Sequence, residues 1–477
     1  MFFNSNLDIL FKQIGQSTRG NHSLILYPVS CILLHSQIAM SIHPYPLSLI
    51  FLFLLCSCTP NTSESNQTSS TAVIRATPTP TPTPELLTVP PTEPNPPINP
   101  QVAAYIKSLQ PAPAKSQGVW MQTKDKLLAN HQGTTPLPAA SITKVATTLV
   151  ALKTFGPDHR FLTQIGTTGT IREGVIEGDL IIQGGEDPFF VWEEAIKLGN
   201  TLNQMGIKRV RGDLIITGKF YMNYNTAPVT VGNLLKQALN SQTWTSVITR
   251  QYQTLPPQTP KPQVLIEGQV KTQTTAPANM RILVRHSSYP LAELLKKMNN
   301  FSNNPMAEMI ANSVGGAKTV AQRAAEIAQV PSQEIYLING SGLTYENKIS
   351  PRAAIAMFRA VELYLRSHNL TVADVFTITS VDEGVLSPRQ IPPLAVVKSG
   401  SLGTVSALVG GLPTQNQGII WFALMNGQGD LNNFRKQQDT FLNQIIKQSG
   451  QVSNPPQELA PTGERFGKSS QIEIVKN

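Results

Sequence analysis

A serine and a lysine three residues apart have the residue types and spacing of an activated nucleophile. They are Ser141 and Lys144, in the stretch PLPAASITKVATTLVAL at 136–152. Apolar positions recur there at helical spacing, which predicts that both side chains lie on one face of a helix beginning near Ser141. Backbone N–H groups at a helix start stabilise an oxyanion, and an amine of lowered pKa accepts a serine proton. On its own, such a pair is more often an N-cap serine beside a solvated lysine.

Two further short motifs follow along the chain. An S-x-N motif at 302–304 lies at a predicted junction of loop and helix, and K-S-G at 398–400 lies on a predicted strand. A second S-x-N match at 367–369 follows a predicted helix and is interpreted as a surface turn. S-x-x-K, S-x-N and K-[ST]-G in this order are far more specific than any one of them.

Alternating helices and strands surround the three motifs. Strands are predicted at 118–122, 127–131, 394–401, 404–411 and 419–426. Helices are predicted at 291–301, 302–314, 319–329, 350–366 and 432–447. For two of these helices the cap is assigned: Asn304 before Pro305, and Ser350 before Pro351.

The intervening segment 161–285 has a different pattern, with strand-like runs separated by glycine and proline. Within it, GDLIIQG at 178–184 and GDLIITG at 212–218 agree at six of seven positions. Two copies are too few for a solenoid, so they predict two similar strands in one β-rich module. The sequence GGEDP at 184–188 is interpreted as a structural turn.

The N-terminal part carries the features of an exported protein. The apolar run at 47–56 is too short to span a bilayer and is typical of a secretory signal, within a leader at 1–58. The sequence LCSC at 55–58 resembles a bacterial lipobox, which would make Cys58 the lipidated residue and a lipid anchor the contact with the membrane. A plain cleaved signal or an uncleaved anchor is the alternative. All three cysteines lie in this leader, which excludes disulfides from the rest of the chain.

Composition restricts the remaining possibilities. The segment 59–100 is rich in Thr, Ser and Pro, which predicts a disordered tether, and 451–477 is predicted to be a loose polar tail. The net charge of +9 comes without a basic cluster interleaved with aromatic residues, so nucleic acid is not an expected partner. Seven scattered histidines without H-E-x-x-H predict no catalytic zinc, and no cofactor is expected.

The motifs together resemble a known family. PAASITK, SNNPMAEMI, NGSGLTYENKISPR at 339–352 and KSGSLGTVSALVG at 398–410 are similar to segments of the penicillin-recognising serine transferases. The resemblance is strongest to the low-molecular-mass class C penicillin-binding proteins, which are D-Ala-D-Ala carboxypeptidases and endopeptidases. It implies an α/β transpeptidase or β-lactamase-like domain, an antiparallel sheet with helices on both faces, from 101–160 and 286–450. The β-rich module at 161–285 would be inserted into it.

The resemblance also implies roles in the chemical step. Ser141 would attack the carbonyl of the penultimate D-alanine, and Lys144 would take its proton. Lys398 would lower the pKa of Lys144 by its like charge. Ser302 would relay a proton to the leaving group. The backbone N–H groups of Ser141 and Ser401 would form the oxyanion hole.

Substrate-binding roles carry over in the same way. Asn304 would hydrogen-bond the substrate backbone, and Lys398 with Ser399 would bind the terminal carboxylate. Gly400 would let the substrate approach the strand closely. The chain departs from the family pattern at Ser399, where threonine is commoner, and at Asn303, where many members have aspartate.

By this resemblance the partners would be peptidoglycan stem peptides, with β-lactams as inhibitors, and the protein would act in the periplasm or envelope. A β-lactamase or esterase on the same scaffold is one alternative. A catalytically silent, tethered protein that only binds cell-wall polymer is another. The sequence leaves open whether the activity is that of a carboxypeptidase or of an endopeptidase.

Overall fold

The computed structural model describes residues 99–463 and 469–476. Helices in the described residues are α1 Asn99–Ser108, α2 Thr143–Phe155, α3 Trp192–Gln204, α4 Pro228–Ala238, α5 Ser246–Tyr252, α6 Leu291–Asn300, α7 Asn304–Ser313, α8 Gly316–Ala328, α9 Pro351–Arg366 and α10 Leu431–Ser449. Strands are β1 Gln117–Gln122, β2 Leu127–His131, β3 Leu137–Pro138, β4 Leu162–Thr167, β5 Thr170–Arg172, β6 Val175–Glu177, β7 Leu180–Gly185, β8 Arg209–Val210, β9 Leu214–Lys219, β10 Leu265–Ile266, β11 Val270–Gln273, β12 Arg281–Ser287, β13 Ile335–Tyr336, β14 Lys348–Ile349, β15 Thr377–Ile378, β16 Val396–Leu402, β17 Val405–Thr414, β18 Gly418–Gly427 and β19 Gln471–Ile474.

A six-stranded antiparallel sheet is central to the fold. Its strand order is β15-β16-β17-β18-β1-β2, so strands from the two ends of the globular sequence meet where β18 pairs with β1. Alternate residues of β18 face opposite sides. Phe422 and Leu424 join a core formed with α1 and α10, whereas Trp421 and Ala423 join a larger core formed with α2, α7, α8 and α9. The predicted antiparallel sheet with helices on both faces is therefore confirmed.

A second sheet collects most strands from the segment 161–285. Its order is β11-β9-β7-β4-β12-β19, and the two echo strands β7 and β9 are parallel neighbours in register from Leu180 opposite Leu214. The prediction of two similar strands in one module is confirmed.

This segment is not purely β-rich, because it also contains α3, α4 and α5. They follow sequence signals that the strand-like pattern obscured, such as the acidic first turn of α3 and the Thr245 cap of α5. Gly199 lies within α3, where an added Cβ atom would come within 2.6 Å of Pro262. Close packing against Pro262 thus requires glycine at position 199, although other residues are better helix formers. The segment thus combines nine strands with these three helices.

The end of the chain joins the second sheet. Strand β19 pairs antiparallel with β12, with Val284 opposite Ile474. An Nη1 atom of Arg160 donates to the Ser469 carbonyl at 2.7 Å. The prediction of a loose tail is wrong for 471–474, because backbone pairing at a sheet edge does not need an apolar sequence.

Within 99–463 and 469–476, none of the helices is long and apolar enough to cross a bilayer. The predicted leader with Cys58 and nearly all of the predicted tether lie outside the described residues. The domain boundaries derived from the sequence stay predictions.

Candidate active site

Ser141 lies on a tight turn that leads into α2. A 3-10 turn, Ala140–Ile142, precedes the helix, which begins at Thr143 rather than at Ser141. Ala140 has a φ of +46° although it carries a Cβ atom, and it is completely buried. The chain enters this turn from β3, where Ala139 N–H donates to the Asn347 carbonyl at 2.9 Å. The half-buried Ser141 side chain is therefore held at the edge of the core by a fixed backbone.

Lys144 is fully buried one helical turn after the serine. Its Nζ atom lies 2.9 Å from Ser141 Oγ. It also donates to Asn304 Oδ1 at 2.7 Å and to the Ser341 carbonyl at 2.8 Å. Both of these oxygens can only accept. A neutral amine would therefore direct its two hydrogens to them and leave its lone pair facing the hydroxyl of Ser141.

The environment of Lys144 favours this neutral form. Burial lowers the pKa of the Lys144 amine well below its usual value, and the like charge of Lys398 lowers it further. The carboxylate of Glu308 opposes both effects. Because desolvation is the largest contribution, the amine loses its proton far more readily than an exposed lysine.

Lys398 and Ser302 form a second lysine–serine contact. The Nζ atom of Lys398 lies 3.1 Å from Ser302 Oγ and 2.6 Å from the Ser399 carbonyl. Burial lowers the pKa of Lys398 to about 7. Ser302 has a φ of +51°, which is uncommon for serine and places its side chain at the loop before α7.

In the S-x-N motif the helix cap differs from the one predicted from the sequence. Asn303, not Asn304, is the N-cap of α7, and its side chain accepts from Met306 N–H at 3.0 Å. Asn304 is the first residue of the helix. Its amide oxygen is thereby free to accept from Lys144. The capping role explains how asparagine serves at position 303, since Asn and Asp are comparable N-caps.

The K-S-G strand passes directly beside the nucleophile. A Cβ atom on Gly400 would lie 2.8 Å from the backbone nitrogen of Ser141 and 2.8 Å from the Ala139 carbonyl. This close approach requires glycine, because side chains do not tolerate such contacts with backbone. Strand β15 pairs with Val396 and Val397 only, so β16 from Lys398 onward extends past the end of β15.

The structure thus brings Ser141, Lys144, Ser302, Asn304 and Lys398 into one connected group, with the backbone of Gly400 against Ser141.

The other S-x-N match, at 367–369, directly follows the end of α9 and makes none of these contacts. Ser367 is exposed there, and its hydroxyl donates to the Tyr364 carbonyl at 2.8 Å. Its interpretation as a surface turn is confirmed.

Sequence reasoning assigned no role to the residues that hold the loop over Lys144. Glu308 accepts from the backbone N–H groups of Gly340 and Ser341, both at 2.9 Å. This fixes the carbonyl of Ser341 that accepts from Lys144. Asn347 further secures the loop by donating to the Asn339 carbonyl at 2.9 Å. The stretch NGSGLTYENK at 339–348 was noted as a motif, but the spacing alone did not indicate what it contacts.

Replacement of Gly342 by alanine should damage this loop. Gly342 has a φ of +83°, and an added Cβ atom would lie 1.8 Å from the Ala140 carbonyl. We expect Gly342→Ala to lower the free energy of unfolding by about 3 kcal/mol, because backbone strain and a backbone clash add. Chemical denaturation measures the change. The control is Gly418→Ala, at a φ of +65° in open space, which should cost about 1 kcal/mol. Equal costs for the two variants would contradict the close packing of the loop.

The fold and these contacts define a class of protein: an antiparallel sheet with helices on both faces, in which a half-buried serine lies beside the amine of a buried lysine of lowered pKa. The chain belongs to the D-Ala-D-Ala carboxypeptidase 3 (S13) family, whose model matches residues 99–254 and 221–445. The resemblance stated from the motifs is thereby confirmed. A D-alanyl-D-alanine carboxypeptidase of Haemophilus influenzae is 22% identical over 413 residues, which cover 66% of this chain and 86% of that protein.

Solved structures share the fold. A predatory endopeptidase of Bdellovibrio bacteriovorus, in complex with an immunity protein, has a TM-score of 0.62 at 18% identity and covers 74% of this chain and 99% of its own. A second predatory endopeptidase of that organism, acylated by penicillin G, has a TM-score of 0.59 at 21% identity, with 74% and 96% coverage.

Proposed function

We propose that this protein is a serine D-alanyl-D-alanine carboxypeptidase/endopeptidase that acts on peptidoglycan stem peptides through an acyl-enzyme on Ser141. The observation that carries the proposal is the buried amine of Lys144, 2.9 Å from Ser141 Oγ in a member of this peptidase family. The penicillin G adduct of a structurally similar endopeptidase supports the same chemistry.

Acylation follows from the contacts around Lys144. The neutral amine takes the proton of Ser141 as Oγ bonds to the carbonyl carbon of the penultimate D-alanine. The backbone N–H groups of Ser141 and Ser401 stabilise the resulting oxyanion. When the C–N bond breaks, Ser302 passes its proton to the departing D-alanine nitrogen, and Lys398 at 3.1 Å stabilises the Ser302 oxygen. Ser302 is reprotonated by the proton that Lys144 took from Ser141, so Lys144 is neutral again before deacylation. The products are an ester on Ser141 and free D-alanine.

Deacylation reverses these transfers with water in place of the amine. A water molecule loses a proton to Lys144 as its oxygen bonds to the ester carbon. The bond to Ser141 Oγ then breaks, and the serine recovers its proton. The stem peptide leaves with a new terminal carboxylate, shorter by one D-alanine.

Substrate would bind along β16, past the end of β15. An extended D-Ala-D-Ala segment can add to such an edge by backbone hydrogen bonds. Gly400 would permit the close approach, Asn304 would hydrogen-bond the substrate backbone, and Lys398 with Ser399 would receive the terminal carboxylate. The stem peptides of assembled peptidoglycan lie outside the cytoplasm, which agrees with the predicted export signal and with the predicted lipidation at Cys58.

The test is an assay of the purified full-length protein. Released D-alanine is measured from a stem pentapeptide that ends in D-Ala-D-Ala, and cleavage of a cross-linked muropeptide is measured in parallel. We expect D-alanine release together with a long-lived adduct of fluorescent penicillin. Rapid penicillin turnover without peptide cleavage would instead identify a β-lactamase. A folded protein with neither label nor turnover would leave only cell-wall binding.

A further inference from the structure

Arg435 lies beside the K-S-G strand but belongs to none of the three motifs. It is half-buried on α10, and its Nη2 atom donates to Ser401 Oγ at 2.9 Å. Within 99–463 and 469–476, no carboxylate forms an ion pair with it. The nearby Asp439 is bound instead by Arg389, at 2.6 Å from Nη2. Arg435 therefore brings to the strand a positive charge that is not held in an ion pair, although the carboxylate of Asp439 acts on it at longer range.

The register of β16 shows which side of the strand this charge faces. Ser399 and Ser401 are two residues apart, so their side chains lie on one face about 6–7 Å apart. Ser401 is opposite Ser406 in the neighbouring strand, and Ser406 Oγ contacts Gln438 of α10 at 3.1 Å. Because positions 435 and 438 lie on one face of α10, this helix covers the face of β16 that carries Ser399 and Ser401.

Lys398 is directed to the other face. It alternates with Ser399 along β16, and its amine donates to Ser302 Oγ and to the Ser399 carbonyl. Its pKa is lowered to about 7 by burial, so its charge is partly lost near neutrality. An arginine keeps its charge at every physiological pH and offers two parallel donors that match a carboxylate.

We propose that Arg435 is a further substrate-binding residue, which recognises the terminal carboxylate from the face of β16 opposite to Lys398, together with the hydroxyl groups of Ser399 and Ser401. Ser401 Oγ accepts from Arg435, which leaves its own hydrogen to donate to the carboxylate. The three groups form a donor set on one face of the strand, beside the position of the leaving D-alanine. This inference rests on the proposed peptidase function, and it makes a free carboxyl end the feature that the site selects.

The test compares two substrates on the full-length protein: an acyl-D-Ala-D-Ala peptide and the same peptide with a C-terminal amide. We expect Arg435→Gln to raise KM and lower kcat/KM for the carboxylate substrate about 10- to 100-fold, as for loss of a hydrogen bond to a charged group. For the amide substrate, kcat/KM of Arg435→Gln should stay within about twofold of the wild-type value. Arg435→Lys, which keeps the charge but not the paired donors, should fall between wild type and Arg435→Gln.

Lys436→Gln is the matched control, because it removes the same charge from the next, exposed position of α10. Lys436→Gln should leave kcat/KM unchanged for both substrates. Equal losses on both substrates with Arg435→Gln, or no loss on either, would overturn the inference while wild-type D-alanine release upheld the peptidase function. If Arg435→Gln does not fold, the carboxylate-to-amide ratio of Arg435→Lys decides, and an unchanged ratio overturns the inference. Absence of acylation in the wild-type protein would instead contradict the proposed peptidase function.

Discussion

Ser141→Ala should abolish acylation by fluorescent penicillin and reduce D-alanine release by about 10⁴-fold or more. In serine peptidases, removal of the nucleophile alone costs nearly as much as removal of the whole catalytic group. The residual groups here, the oxyanion-hole N–H groups and the lysines, have no oxygen left to activate. Gel fluorescence measures the covalent label, and a coupled D-alanine assay measures turnover.

The loss should leave the fold intact. Ser141 is the half-buried middle residue of a 3-10 turn, and alanine is no larger than serine there. The melting temperature of Ser141→Ala should therefore stay close to that of wild type. Ser367→Ala is the matched control, because Ser367 is an exposed serine of the second S-x-N match. Normal labelling of Ser141→Ala, or equal loss in Ser367→Ala, would contradict the assignment of the nucleophile.

The sequence predicted the central sheet well because its strands are strongly patterned. The runs at 118–122, 394–401 and 419–426 are apolar, bounded by turn residues, and correspond to β1, β16 and β18. The start of α9 was equally readable, since Ser350 caps it as predicted, whereas the cap of α7 is Asn303 and not Asn304. Local periodicity and local capping were sufficient in these cases.

The features that could not be predicted from the sequence depend on contacts between residues far apart in the chain. The Ser341 carbonyl and the amine of Lys144 are 197 residues apart, and no local pattern connects them. Glu308 acts only through the backbone of 340–341, so its residue type gave no signal. Strand β19 was missed since its pairing partner, β12, lies almost 190 residues earlier in the chain. Such contacts are decided by the tertiary fold rather than by propensity.

Lys144→Met should reduce acylation about 10³- to 10⁴-fold, the upper range for loss of a positioned general base. Methionine has a similar length and no basic atom, so Ser141 keeps its place but loses the acceptor of its proton. The matched control is Lys296→Met. Lys296 is another largely buried lysine, and it donates to the carbonyls of Ala373 and Phe376. It should lower stability without changing acylation per folded molecule.

The pH dependence of acylation gives an independent reading of the same base. Because only neutral Lys144 can accept a proton, the wild-type rate should rise as pH increases through its lowered pKa and fall toward acid. Above about pH 7 Lys398 loses its own proton, which weakens both its charge on Lys144 and its contact with Ser302, so the rate should decline again. The residual rate of Lys144→Met should lack the acidic limb. Retention of that limb would assign the base to another group and leave Lys144 a structural role in holding the Ser341 loop.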